Sequence, residues 1–592
     1  MLYTDSLHRI AYATDASAYR EMPLAVAYPQ SEEDIIVLMQ EAEKRHTHLI
    51  PRAGGTSIAG QVVGNGIVVD ISRYMNRILE INAEERWVRV QPGVVRDELN
   101  IALRPYGLFF SPETSTSNRC CIGGMTGNNS CGTHSLVYGS TRHHVLWLRA
   151  ILSDGTPVEI SRKDMTVAGQ PVSTEGDSLA NRIMRQLITW QGDAAIRERI
   201  EQHFPDKSLR RRSCGYAIDE CLGGVDGSYT TGEPDIAALI AGSEGTLAFI
   251  TEITLSLDPL PKREQMVVCV HLDDLNQSWQ ANLIALRHHP VAVELMDGKI
   301  LELGKGNPEA ERNRFFIEGD PKAVVIAEFR GDSVAEMESA ATRFEQEIGD
   351  MAYACTRVYG NDVARVWNLR KAGLGVLSGM KGDAKPIGVI EDTAVAPERM
   401  ADYMHDFQQM LREIGLSCVY YGHISTGELH LRPILNIKTE EGKRKFREVA
   451  ERTAQLVRKH KGSLSGEHGD GRLRGEFIPL MYGEEVYQMM VELKRTSVRR
   501  EENLDRLGAP DRRLRQGNQL IHPVVLCADP NANAVSPSQN GEFRRHRGLA
   551  RTPVTTGRRG NPKAPFRQHA PSRRRSRPHP MPLPRQRQHM PQ

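Results

Sequence analysis

Three short stretches rich in Gly, Ser and Thr, each beside an apolar run, restrict the fold of this chain more than any other feature. They are PRAGGTSIAG (51–60), IGGMTGNN (122–129) and GSEGTL (242–247). Consecutive glycines let backbone N–H groups converge on one point and form an anion nest. A nest that follows a strand suits a pyrophosphate. None of the three is GxGxxG or GxxxxGK[ST], so the common nucleotide folds are not indicated. A tight turn explains one such loop. Three of them, each beside a strand, are hard to explain as scattered turns.

At 592 residues the chain exceeds a single compact core, and two or more domains are expected. Hydrophobic residues make up 40% and charged residues 25%, a balance that suits a folded, soluble protein. The net charge of +2 hides an asymmetry: residues 501–592 hold 17 Arg and one Lys against six acids, or +12, leaving about −10 for the rest. No stretch approaches 18 apolar residues, so no membrane-spanning helix is expected. The first residues, MLYTDSLHRIAYATDASAYREMP, lack an apolar core, and a secretory signal is not expected. The nine cysteines include no CxxC pair, which argues against an iron–sulfur or zinc-finger cluster in this chain. A cytoplasmic location is expected; peripheral association with a membrane is compatible with it.

Residues 34–45 (DIIVLMQEAEKR) carry a helical period, and GIVVDIS (66–72) and WVRVQPG (87–93) read as strands. VLWLRAILSDGTPVEI (145–160) reads as a hairpin, and Val95–Tyr106 as a helix stopped by Gly107. Residues 118–140 read as a long glycine-rich loop. Beyond Pro261 the texture changes. Strands MVVCVHLDD, AVELMDG, AVVIAEFRG and PIGVIEDTAV alternate with helices near 274–287, 333–346 and 363–379, and the last helix is expected at 440–460. The expected fold class is α+β. A short N-terminal extension (1–30) leads into a two-part ligand-binding domain (31–260). An α+β domain (261–496) and a disordered Arg/Pro-rich tail (497–592) follow. The tail lacks interleaved aromatics for base stacking, so no nucleic-acid partner is expected.

The chemistry concentrates in YYGHISTGELHLRP (420–433) and GEHGDGR (466–472). Gly422, Gly427 and Pro433 disfavour a helix, so His423 and His430 fall on two strands of a hairpin with its turn at Ser425–Gly427. Two imidazoles with the Glu467 carboxylate form a common donor set for zinc or manganese. Ordinary core histidines remain the alternative. His468 can hold a proton near neutral pH, as a base or as a hydrogen-bond partner within its glycine loop. Arg370 in VWNLRKAG lies on an expected helix and offers a bidentate fork for a carboxylate; a surface helix residue is the alternative.

The loops resemble the FAD-binding domain of PCMH-type flavoproteins of the vanillyl-alcohol oxidase superfamily, from SEEDI (31–35) through GSEGTLAFITEITL (242–255). The order GSEGT, WNLRKA, GHISTGELH, GEHGDG resembles FAD-linked D-2-hydroxy-acid dehydrogenases, and in particular the N-terminal half of large flavin/iron–sulfur D-2-hydroxyglutarate dehydrogenases. The resemblance implies an FAD-binding domain followed by an FAD-linked oxidase C-terminal domain that forms a substrate cap. It implies FAD wrapped at its diphosphate by Arg52, Gly54, Gly55, Thr56, Ser57, Gly60 and Gln61. Gly123, Gly124, Thr126, Asn128, Gly132, Tyr138 and Gly139 run along the rest of the cofactor, and Glu244, Gly245 and Thr246 close over it. Some relatives attach FAD through a histidine after the paired glycines; Thr56 stands there, implying non-covalent FAD. Tyr216 falls at a GY motif near the flavin.

The resemblance further implies a divalent metal, Zn or Mn, on His423, His430 and Glu467, with His468 as base. Arg370 and Lys385 fall at substrate-contacting positions. The related motif reads GHxGDGNxH, whereas Ser425, Thr426, Gly427 and Glu428 fill its middle here. Arg432 replaces an asparagine that contacts substrate and offers a second cation for a dicarboxylate. The implied reaction is oxidation of a small D-2-hydroxy acid to the 2-oxo acid, with D-2-hydroxyglutarate foremost. D-lactate or glycolate is one alternative, and an inactive FAD-binding fragment or partner subunit another. The electron acceptor would be a quinone, an electron-transfer flavoprotein or an iron–sulfur module missing here. A homo-oligomer is compatible with these features. The abrupt change after Thr496 is what a frameshift in the coding sequence would produce.

Overall fold

The computed structural model describes residues 2–223, 234–305 and 307–498. Beyond Val498, the expected disordered, frameshifted tail lies outside the described residues. The architecture is mixed α+β; the part expected to hold flavin precedes the part expected to hold substrate, and they are called the flavin side and the substrate side.

The flavin side holds two sheets. Strands Leu2–Tyr3, Ala25–Ala27, Ile67–Asp70 and Leu49–Arg52 form a four-stranded sheet in that order. Ile67–Asp70 runs parallel to both of its long neighbours, and the first residues of the chain pair with Val26 and Ala27. Helix Glu32–Lys44 starts at a Ser31 N-cap whose side chain accepts from Asp34 N, and it buries Ile35, Leu38 and Ala42. The second sheet is seven-stranded and antiparallel, with Phe249–Ser256 between Val145–Ile151 and Trp87–Val90. The strand Phe249–Ser256 alternates buried and half-buried residues, the pattern of a sheet with one face on the core.

The substrate side is an eight-stranded sheet. Its order is Ala354–Tyr359, Glu264–Leu272, Ala323–Gly331, Ala292–Asp297, Cys418–Gly422, Glu428–Leu435, Lys385–Pro386, with Ile390–Ala394 also on Glu428–Leu435. Every pairing is antiparallel, yet both faces are covered. Along Glu264–Leu272, Met266, Val268 and Val270 enter one core and Val267 and Cys269 another. The alternation of side chains across a strand divides an unbroken apolar run between two layers. Helix Glu440–Lys459 is capped by Thr439 and buries Val449, Ala450, Ala454 and Val457 along one stripe.

Two expectations are corrected. The stretch read as a continuous loop at 118–140 contains a helix at Ile122–Asn128. Its glycines permit close backbone packing: a Cβ on Gly123 would come within 2.5 Å of the Pro92 side chain. Tertiary contact thereby overrides poor helix propensity. Helix 440–459 is not the last, because Ile478–Thr496 forms another, kinked at Gly483. That glycine interrupts the apolar period and concealed the helix. The helix buries Val486, Met490 and Leu493, and Ser153 Oγ donates to the carbonyl of Ser497 just past its end. Among the described residues no helix is long and apolar enough to cross a membrane.

Candidate active site

The hairpin forms as its glycines require. Strands Cys418–Gly422 and Glu428–Leu435 pair with Tyr421 opposite His430. Gly427 turns the chain at φ +79°, and a Cβ there would meet the Val395 carbonyl at 1.7 Å, so only glycine fits. His423 and His430 are buried with ring centroids 5.3 Å apart.

On the other side of Glu428–Leu435 lies Ile390–Ala394, with Glu391 opposite His430 and a register shift between Glu391 and Thr393. Within that bulge Asp392 adopts φ +101°. Such backbone costs about 1–3 kcal/mol and persists only where its surroundings enforce it. Here it re-aims the carboxylate. Asp392 accepts from Glu467 N at 2.8 Å, His468 N at 2.9 Å and Ser465 Oγ at 2.6 Å, so it holds the GEHGDG loop in place.

Held in this way, Glu467 faces the hairpin. Its Oε1 lies 3.7 Å from His423 Nε2, 3.9 Å from His430 Nε2 and 3.1 Å from His468 Nε2. The rings of His430 and His468 stack at 5.5 Å. With its side chain 22% exposed, His468 is more open than His423, His430 or Glu467.

Several groups that the sequence reading did not select complete the cluster. Glu428 is fully buried, 3.2 Å from His430 Nδ1. Arg211, also fully buried, bridges Glu428 at 2.5 Å and Glu467 at 3.0 Å, and donates to Gly132 O at 2.6 Å. Glu294 accepts from His423 Nδ1 at 2.5 Å and pairs with Arg370 Nη2 at 2.8 Å. Acids inside apolar strands, as in AVELMD and VIEDTAV, were the available signal, since buried carboxylates are rare without partners.

The electrostatics follow from this crowding. Burial and the His423 charge push His430 well below its usual value, leaving it neutral. Burial also opposes charge on His423 and His468. Glu294 outweighs it at His423, and Asp392 and Glu467 outweigh it at His468, raising each to about 9. Burial and the neighbouring Glu467 charge lift Glu428 to about 8. Glu428 and Glu467 share Arg211, with His423 and His468 as the neighbouring imidazoles. Glu428 Oε1 and His430 Nδ1 face each other at 3.2 Å without hydrogen-bond geometry, and His468 Nδ1 is buried without a hydrogen-bond partner. Together with the mixed N/O donor set, these orphaned atoms fit a divalent ion.

The expected cofactor loops converge on this cluster. Gln61 Nε2 donates to Glu244 Oε1 and to His468 O, both at 2.7 Å, and Asn128 Nδ2 donates to His468 O at 3.1 Å. Glu244 N donates to Gly127 O at 2.9 Å, and Glu244 Oε1 accepts from Gly471 N at 3.2 Å. All three glycine loops therefore meet the GEHGDG loop. Gly54 approaches the second loop so closely that a Cβ would lie 2.4 Å from Arg119 O. Three glycine-rich loops gathered on one loop fit an extended cofactor. Tyr216 OH bonds Thr246 Oγ1 at 2.6 Å.

Not every expected residue joins. Lys385 pairs opposite Leu435, five positions along the strand from His430, and its Nζ donates to Met380 O. Arg432 reaches the cluster, but its guanidinium is already held by Glu391 and donates to Tyr421 OH at 2.9 Å. Thr126 Oγ1 is bonded to its own helix at Ile122 O, 3.0 Å away. Arg52 donates to Thr14 O at 2.9 Å and lies over the Tyr12 ring.

The fold and site define a flavoprotein of the FAD-linked oxidase class. Residues 23–161 match the FAD binding domain family, and residues 261–496 match the C-terminal domain of FAD linked oxidases. The chain thus carries an FAD binding domain followed by the C-terminal domain of FAD linked oxidases. It is 36% identical over 511 residues to the D-2-hydroxyglutarate dehydrogenase of Pantoea ananatis, covering 83% of this chain and 48% of that protein. The chain therefore spans about half the length of that relative. A glycolate oxidase subunit of Bacillus subtilis is 23% identical over 82% of this chain and 89% of its own length. Among solved structures, 4-ethylphenol oxidase from Gulosibacter chungangensis shares the fold at TM-score 0.58 and 13% identity, over 85% of this chain and 92% of that one.

Proposed function

We propose that the chain oxidises a D-2-hydroxy acid to the 2-oxo acid, with D-2-hydroxyglutarate the foremost substrate. The observation that carries this reading is the convergence of Gln61, Asn128 and Glu244 on the backbone that presents Glu467 and His468. A cofactor on the glycine loops and an acid–base group then meet at one loop. Residues 31–260 are assigned to the cofactor, residues 261–496 to substrate and metal, and residues 1–30 to an extension of the first domain.

FAD held by the three loops supplies the hydride acceptor, and a divalent cation on His423, His430 and Glu467 supplies a Lewis acid that acidifies the 2-hydroxyl. The chain's own residues do the rest. Glu467 lies 3.1 Å from His468 Nε2 and helps to raise its pKa; with a cation on Glu467 that pull would weaken, and His468 would take the hydroxyl proton at Nε2. Asp392 fixes the backbone of His468 and so limits where that nitrogen sits. Glu294 orients His423 through Nδ1, the usual support for a ligating imidazole. Arg370, whose Nε and Nη2 are paired with Glu294, is the cation assigned to the substrate carboxylate. Burial of the cluster excludes water.

A second reading, a monocarboxylate such as D-lactate or glycolate, is favoured by one observation. Arg432, the cation expected for a second carboxylate, is already paired with Glu391. Anaerobic flavin reduction across a panel of D-2-hydroxy acids, with and without chelator, decides between them. D-2-hydroxyglutarate should bleach the flavin fastest and chelator should stop it. Faster reduction by D-lactate selects the second reading. A yellow protein reduced by none of them sinks both. Reoxidation is assigned to a quinone, an electron-transfer flavoprotein or an iron–sulfur module.

A further inference from the structure

Glu428 stands where the related motif has asparagine, and its surroundings assign it work. The ligand atoms of His423, Glu428, His430 and Glu467 all lie within 4.8 Å of one another. Glu428 Oε2 is 3.8 Å from His423 Nε2 and 2.5 Å from Arg211 Nη1, while Oε1 lies 3.2 Å from His430 Nδ1 without hydrogen-bond geometry.

Arg370 pairs with Glu294, Arg432 with Glu391, and Arg474 lies 3.6 Å from Asp392. Arg211 bridges both Glu428 and Glu467. These two carboxylates converge beside the imidazoles of His423 and His430. We propose that Glu428 is a fourth protein donor to the divalent cation, with Arg211 the counter-charge that lets two carboxylates share it. The proposal rests on the reading of His423, His430 and Glu467 as metal ligands.

The extra donor decides which ion serves. Catalytic zinc sites keep three protein ligands and one open position, whereas four protein donors close a tetrahedral shell. A six-coordinate ion such as Mn²⁺ keeps two positions for substrate oxygens. Manganese is therefore the productive ion, and zinc binds but blocks.

The test uses the full FAD-loaded chain, stripped with chelator. Free Mn²⁺ is followed by electron paramagnetic resonance, and the Co²⁺ form by its visible bands. Wild type is compared with Glu428→Gln and Glu428→Asn, with flavin absorbance and circular dichroism as folding controls. Both variants should bind Mn²⁺ about tenfold or more weakly, and the cobalt bands should shift. Equal affinity overturns the proposal. Weaker binding with unchanged cobalt bands also overturns it, because Glu428 would then stand behind His430 instead of on the ion. No metal uptake by the wild type removes the metal reading itself. If the variants fail to load flavin, wild type alone decides. Reduction by the acid with Mn²⁺ and not with Zn²⁺ supports the fourth donor; equal reduction with Zn²⁺ overturns it.

Discussion

The glycine loops and the charged cluster meet at the GEHGDG loop but are built from opposite materials. Around Gly54, Gly127 and Glu244 the contacts run largely through backbone atoms, and what matters is the absence of side chains. Around Arg211 the contacts are side chain to side chain, between charges brought together from distant parts of the chain. A cradle of backbone tolerates change at most positions and fails only where a Cβ intrudes. A cluster of buried charges fails wherever one partner is removed, because the remaining charge is left without solvent or counter-ion.

Substitutions can break this contrast in order of expected effect. Arg211→Ala strands Glu428 and Glu467 together. It should destabilise the FAD-loaded protein by about 3–5 kcal/mol in urea unfolding, and a loss under 1 kcal/mol would mean the pair is solvated. His468→Asn should retain flavin yet slow its anaerobic reduction about 10²–10⁴-fold; a change below tenfold would move the base elsewhere. On the backbone side, Gly54→Ala drives a Cβ against Arg119 O. It should cost about 1–3 kcal/mol, read as a lower flavin-to-protein ratio, with normal reduction of whatever flavin remains.

The smallest effect concerns a clamp that joins the two parts of the molecule. His134 lies between Glu113 at 2.7 Å and Glu328 at 2.9 Å. Burial opposes its charge, but the two carboxylates raise it to about 10. A group raised on folding stabilises fully below its unfolded value, near 6.5, and loses that contribution as pH rises through the folded one. Between pH 8 and 10.5 the wild type should therefore lose stability more steeply than His134→Gln. Parallel curves in thermal unfolding would show that the clamp carries no net charge.

Much of the arrangement was legible in the residue order. The glycine loops, the hairpin turn at Gly427 and the spacing of His423 and His430 are local, and local geometry follows from residue type: glycine where the backbone must turn or approach, alternation where a strand is half-buried. The helix at 122–128 and the helix beyond Ile478 escaped because glycines that packing requires there look like breakers. Lys385 was expected at the substrate from the resemblance alone; the register that sets it opposite Leu435 is not written in the residue order.

What the sequence determined by itself was the kind of molecule: glycine nests for an extended anion, followed by an α+β domain whose histidines are spaced as ligands. Only the tertiary structure decided which charges face each other. The bulge at Asp392 aims the GEHGDG loop, Arg211 arrives from about two hundred positions away to bridge Glu428 and Glu467, and Arg432 is claimed by Glu391. Glycine and alternation act through neighbours along the chain. Coulomb pairing acts through space, with a strength that depends on burial the linear order does not contain.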